Sequence, residues 1–202
     1  MKAVAYCALA ALTFVAPSHA SLIPYLNGTP TQNGSDFLFN YIVNLEPDAS
    51  IGSGTFITFY DITGFVGATP PANWSVTTAN VGMTPSNING AAIDNPNVIN
   101  VTFEYNGPTL ATDGSPTKMP GFEIFSTDSG TTTGTYSFQD SMDVGQETGK
   151  PLQGVGPIAV PAGAPGGTGT GSGSAVPEPS TFLMLGSGLS AVFLIGRRRR
   201  RT

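Results

Sequence analysis

Ile99-Asn100-Val101-Thr102-Phe103-Glu104-Tyr105-Asn106 alternates without a break: Ile99, Val101, Phe103 and Tyr105 are apolar, while Asn100, Thr102, Glu104 and Asn106 are polar. Successive side chains of a strand leave on opposite faces, so a period of two specifies one buried face and one wetted face. Phe37, Phe39, Tyr41, Val43 and Leu45 repeat the pattern with partly polar neighbours. Further strands are expected over Thr55 to Asp61, Trp74 to Ala79, Phe122 to Thr127, Thr133 to Phe138 and Val155 to Val160. Turn clusters such as Thr69-Pro70-Pro71-Ala72-Asn73 and Thr112-Asp113-Gly114-Ser115-Pro116 separate them. The expected fold is all-β, an antiparallel β-sandwich of about seven to eight strands.

Composition supports this class and excludes others. With 26 Gly and 17 Pro in 202 residues and only 10% charged side chains, the chain lacks the helix-favouring content of a bundle or coiled coil. A hydrophobic fraction of 40% excludes disorder throughout. Fifteen aromatic residues between Tyr25 and Phe138 provide the material of a core. The net charge of −5 is unevenly placed. From Ser21 to Val176, Lys118 and Lys150 face twelve acids, and such a surface repels phosphate backbones, so nucleic acid is excluded as a partner.

The N-terminus reads as a secretory signal. Lys2 supplies the basic start, Ala3 to Val15 the apolar run, and Pro17-Ser18-His19-Ala20 the small residues a signal peptidase requires, placing cleavage between Ala20 and Ser21. Cys7 and His19 are the only cysteine and histidine, and both leave with the signal. The mature chain is therefore expected to have no thiolate or imidazole catalysis, no zinc, haem or iron-sulfur centre, no disulfide and no cofactor.

Carboxylates are the remaining chemistry. Glu104 and Glu123 lie on the polar faces of two expected strands and would be the acid and base of a glycosidase if the fold brought them together. Asp140, Asp143 and Gly145 have the composition of a calcium loop without its spacing, so no metal site is assigned. Trp74 opens a strand and reads as a core residue, with a sugar-stacking platform as the alternative. Asn27, Asn33, Asn73 and Asn100 each begin an Asn-x-Ser/Thr sequon.

Beyond residue 160 the composition changes. Residues 161–175 are all Gly, Ala, Ser, Thr or Pro, a composition that buries too little surface to fold and reads as a disordered linker. Val176, Pro177, Glu178 and Pro179 then precede Ser180 to Gly196, an uncharged run of 17 residues that spans about 25 Å as a helix and is expected to cross the membrane. Arg197, Arg198, Arg199, Arg200 and Arg201 hold the C-terminus on the cytoplasmic side, so the domain faces outward. The expected organisation is thus a signal peptide (1–20), a β-sandwich (21–160), a linker (161–175) and a C-terminal signal (176–202).

In the order of box, apolar helix and arginine cluster, residues 176–202 resemble the PEP-CTERM sorting signal of exported bacterial proteins. The resemblance implies an exosortase as processing partner, removal of the tail near the box, an inner-membrane precursor and a final place at the cell surface or in the extracellular matrix. It also implies an envelope that makes exopolysaccharide, a second partner class. Less specifically, Tyr41-Ile42-Val43-Asn44-Leu45, Gly54 to Asp61 and Gly64-Phe65-Val66-Gly67 are similar to elements of β domains in such sorted proteins. The expectation is a non-enzymatic structural or adhesive protein. Its alternatives are a carbohydrate-binding module using Trp74 or exposed tyrosines, and a carboxylate glycosidase.

Overall fold

The computed structural model describes residues 21–86, 88, 92–143 and 147–163. The signal peptide, nearly all of the linker, the Pro-Glu-Pro box, the apolar run, the arginines and Gly145 lie outside the described residues.

Twelve strands occur among the described residues. The first six are β1 (Leu22–Leu26), β2 (Thr31–Asn33), β3 (Asp36–Leu45), β4 (Ala49–Ile51), β5 (Phe56–Ile62) and β6 (Phe65–Thr69). The rest are β7 (Trp74–Ala79), β8 (Ile99–Tyr105), β9 (Leu110–Ala111), β10 (Thr117–Ser126), β11 (Gly130–Met142) and β12 (Pro151–Ala162). They form two antiparallel sheets. The first runs β1-β3-β10-β6, with β2 beside β3; the second runs β7-β8-β5-β11, with β4 and β12 also on β11 and β9 on β4. The expected sandwich is present, with more strands than expected and a last strand reaching Ala162, two residues past the expected domain end.

Alternation explains why the sheets close face to face. On β3, Phe39, Tyr41, Val43 and Leu45 are fully buried, and on β8 Val101 and Phe103 are as well. Rings bridge the layers: Tyr41 lies 4.8 Å from Phe59, and Phe103 lies 5.2 Å from Phe122 at 85°. Trp74 meets Phe122 at 5.0 Å and Tyr105 at 5.2 Å, both edge to face. Each such pair contributes about 0.5 to 1.5 kcal/mol beyond the area it buries. The Tyr41 hydroxyl crosses to the second sheet and donates to the Ala159 carbonyl at 2.9 Å, which satisfies a buried polar atom that would otherwise oppose folding.

The outer face of the second sheet is covered too, which a simple sandwich does not require. Thr58, Tyr60 and Ser137 point away from the aromatic core yet are 0% exposed. The chain after β7 folds over them: Tyr60 Oη donates to the Met83 carbonyl at 2.9 Å and shares hydrogen bonds with Thr84 Oγ1 at 2.6 Å and Ser137 Oγ at 2.8 Å. This strap makes part of the sheet three layers deep.

β11 and β12 pair without a register shift from Gly130↔Ala162 to Ser141↔Pro151. Thr, Tyr and Phe of β11 and Val155, Ile158 and Val160 of β12 favour strands, while the glycines and prolines among them do not, and the hairpin is also held by contacts that sequence periodicity does not show. Phe138 lies over Gly154, where an added methyl would fall within 2.8 Å of its Cζ, so the absence of a side chain is what admits the ring.

Candidate functional site

The two candidate catalytic carboxylates are not brought together. Glu104 stands on β8 of the second sheet and Glu123 on β10 of the first. Their neighbours Phe103 and Phe122 touch each other in the core, so alternation sends both glutamates to opposite outer faces of the sandwich. The whole core lies between them, and no substrate bond can be flanked by both; the glycosidase expectation is corrected on this pair.

Trp74 is 8% exposed and packed against Tyr105 and Phe122, so it is a core residue and offers no face to a sugar. Tyr41, Tyr60, Tyr105 and Tyr136 are likewise buried, leaving Tyr25 as the half-exposed tyrosine among the described residues. The aromatic row required by the carbohydrate-binding alternative is thus missing from the described surface.

Asp140 and Asp143, which have the composition but not the spacing of a calcium loop, have separate surroundings. Asp140 faces inward at the end of the core and is 1% exposed. The Ser21 hydroxyl donates to its Oδ2, while Oδ1 has no hydrogen-bond partner. Burial pushes this carboxyl up to about 7, against the lowering effects of the Ser21 hydroxyl and its own backbone amide. Asp143, three residues on, donates its backbone N–H to the Asp48 carbonyl at 2.7 Å. Among the described residues, no group of three acids, histidines or cysteines is arranged to hold a metal ion.

Ser21, expected as the first mature residue, is itself 1% exposed, and its carbonyl accepts the Glu46 N–H at 2.9 Å. No local pattern reveals that this residue plugs the sandwich, because its partner lies 119 positions away.

A second polar cluster joins the strap to the sheet. Asn100, 1% exposed, donates to the Asn80 carbonyl at 3.1 Å and to Asp94 Oδ1 at 2.9 Å, and accepts the Asp61 N–H at 2.9 Å. Asp61 receives the Asn95 N–H at 2.9 Å; burial raises its carboxyl above the ordinary range, the Asn95 bond lowers it and the nearby Asp94 charge raises it. Asn100 therefore differs from the other three sequon residues, Asn27, Asn33 and Asn73, which are exposed.

A groove of about 390 Å3 among the described residues is bounded by Gly54, Met83, Glu104, Asn106 and Gln139. Its polar groups are partly committed: Gln139 donates to the Gly54 carbonyl at 3.2 Å and accepts from Gln153 at 2.7 Å, and Asn106 donates to Ser75 at 2.7 Å.

The geometry therefore defines a filled β-sandwich whose most specific sequence information lies outside it, at the C-terminus. There the chain carries a PEP-CTERM protein-sorting motif, matched over residues 175–201. The motif implies an exported protein sorted by an exosortase. No curated protein matches the chain.

Proposed function

We propose that this protein is a structural or adhesive component of the cell envelope or extracellular matrix, delivered by exosortase processing and without catalytic activity. In this reading the tail holds the precursor in the inner membrane through Ser180 to Gly196, and the arginines from Arg197 to Arg201 resist translocation. The exosortase then removes the tail near Pro177, Glu178 and Pro179, and the sandwich is left at the surface. The observation that carries the reading is the sorting motif on residues 175–201. It is supported by a core filled with rings and by the separation of Glu104 and Glu123 on opposite faces.

Mass spectrometry of the surface protein tests it. Loss of the residues C-terminal to the box is expected in a strain that has an exosortase, and recovery of an intact tail ending in Thr202 would overturn it. For a carbohydrate-binding role, the groove at Glu104, Asn106 and Gln139 is a candidate among the described residues. Binding of the envelope polysaccharide that disappears in Glu104→Ala would favour that role over a purely structural one.

A further inference from the structure

Asp140 presents a problem that the described residues leave unsolved. It follows Tyr136 and Phe138 on the inward face of β11, is 1% exposed, and has one carboxylate oxygen bonded to the Ser21 hydroxyl and the other unpartnered. A buried carboxylate needs a cation or a full set of donors. The elements packed around it supply neither. Leu152 stands opposite on β12, Leu22 opens β1, and the charged residues of the adjoining loops are Glu46, Asp48 and Asp143, all acidic. Lys150, the nearest basic residue in sequence, is paired with Glu147.

We propose that Asp140 is the docking site of the α-ammonium group that signal cleavage creates on Ser21. The inference rests on the expected cleavage between Ala20 and Ser21. The Ser21 nitrogen is three covalent bonds from the hydroxyl that already touches the carboxylate, and the residue is fixed from its other side by the Glu46 N–H. Before cleavage that nitrogen is a neutral amide with a single N–H. Hydrolysis adds the hydroxyl of water to the Ala20 carbonyl carbon and its hydrogen to the Ser21 nitrogen, which takes a further proton from solvent at neutral pH. The product has three donors and a positive charge beside an acid that has an oxygen free.

The consequence is a domain completed by its own export. In the precursor the carboxyl must either stay protonated or be buried as an unpaired charge, and both choices weaken the fold at neutral pH. After cleavage the charge is paired in place. Full folding stability is withheld until the chain reaches the compartment where the signal is removed.

The test uses the full-length protein purified from exporting cells. Its N-terminus is first read by mass spectrometry, and the rate of Ser21 amine acetylation is then followed against pH in the folded state, with Lys118 as internal reference. Burial without pairing lowers an amine's pKa, whereas an ion pair raises it. A pKa at least one unit above the ordinary value of about 7.7 to 8.0 is expected, which slows acetylation at pH 7 about tenfold. Asp140→Asn should return the rate to that of an ordinary terminal amine; if this variant does not fold, the wild-type pKa still decides. An ordinary or lowered value on a chain that begins at Ser21 overturns the pairing alone. A chain that begins elsewhere overturns the cleavage reading, and the pairing with it.

Discussion

Gly82 lies against the ring of Tyr60 so closely that a methyl group in its place would fall 2.5 Å from Cε1. The strap over the second sheet therefore depends on a missing side chain as well as on the three hydrogen bonds of the Tyr60 hydroxyl. Tyr60→Phe removes those bonds and leaves the Met83 carbonyl with the Ser137 hydroxyl at 3.2 Å as its donor, a loss of about 1 to 3 kcal/mol. Gly82→Ala should lift the strap without touching the hydroxyl. Hydrogen exchange at residues 80–86 is expected to speed up in both variants while the amides of β3 and β10 keep their protection.

Trp74→Ala should lower stability by about 3 to 5 kcal/mol, as for other large-to-small changes in cores. Trp74→Phe keeps the apolar contact and should cost less. Chemical denaturation of the two variants checks this. A Trp74→Ala protein with wild-type stability would mean that the residue does not occupy the core.

An uncleaved form with a residue still attached ahead of Ser21 should show a specific pH profile. Its Asp140 carboxyl sits at about 7 when folded and near 3.9 when unfolded. Between these values the folded state holds the proton more tightly, so unfolding releases it and stability falls as pH rises. The contribution is whole below about pH 4, declines by up to about 1.4 kcal/mol per pH unit and levels off above about 7. Urea midpoints across this range should fall in the uncleaved form and fall less in the cleaved one, and Asp140→Asn should flatten the difference.

Asn100 ties the strap to β8 through its amide nitrogen and takes the Asp61 N–H of β5 on its amide oxygen, so a glycosyltransferase acting on the folded protein should modify Asn27, Asn33 or Asn73 and leave Asn100 bare. Asn100→Ala orphans the Asp61 N–H and removes one hydrogen bond to the Asp94 carboxylate, which keeps that from the Gly82 N–H, and a destabilisation of about 1 to 3 kcal/mol is expected. Glycopeptide mapping and thermal melts measure the two effects separately.

Glu178→Ala removes the one charge of the Pro-Glu-Pro box and leaves the apolar run intact. Simple membrane anchoring should be unaffected, while exosortase processing slows and full-length precursor accumulates in the inner membrane. Replacing the five arginines with serine should instead loosen retention and orientation. Fractionation followed by immunoblotting separates these outcomes, and normal processing of Glu178→Ala would count against recognition of the box.

The strands that the sequence shows clearly are those in which each residue's chemistry agrees with its face. Ile99–Tyr105 and Trp74–Ala79 occur with the bounds read from periodicity, and Asp36–Leu45 differs by a single residue. The others are hidden for identifiable reasons. β1 has Pro24 at its centre, β2 is wholly exposed and polar, and β4 and β9 have three and two residues. β10 was expected only from Phe122 because Pro120 and Gly121 precede it; the strand passes them through a bulge, with Gly121 at a φ of 94°. The strap and the Ser21–Asp140 contact are illegible in principle, since they join residues with no local pattern. Among the site residues, the Glu104 and Glu123 faces were readable, but which sheet each strand joined was not.

The prolines of β12 matter beyond this domain. Met142 N–H bonds to the Lys150 carbonyl, so even-numbered residues of the continuous ladder turn their polar atoms toward β11 and odd-numbered ones turn theirs outward. Pro151, Pro157 and Pro161 are all odd and offer no N–H, while the outward carbonyls of Ala159 and Pro161 are taken by Tyr41 and Thr63 at 2.9 Å each. A strand arriving from another molecule would meet a rim stripped of much of its bonding capacity. Molecules crowded side by side on a surface can therefore stay separate units, because this border resists seeding the continuous intermolecular sheets from which amyloid grows.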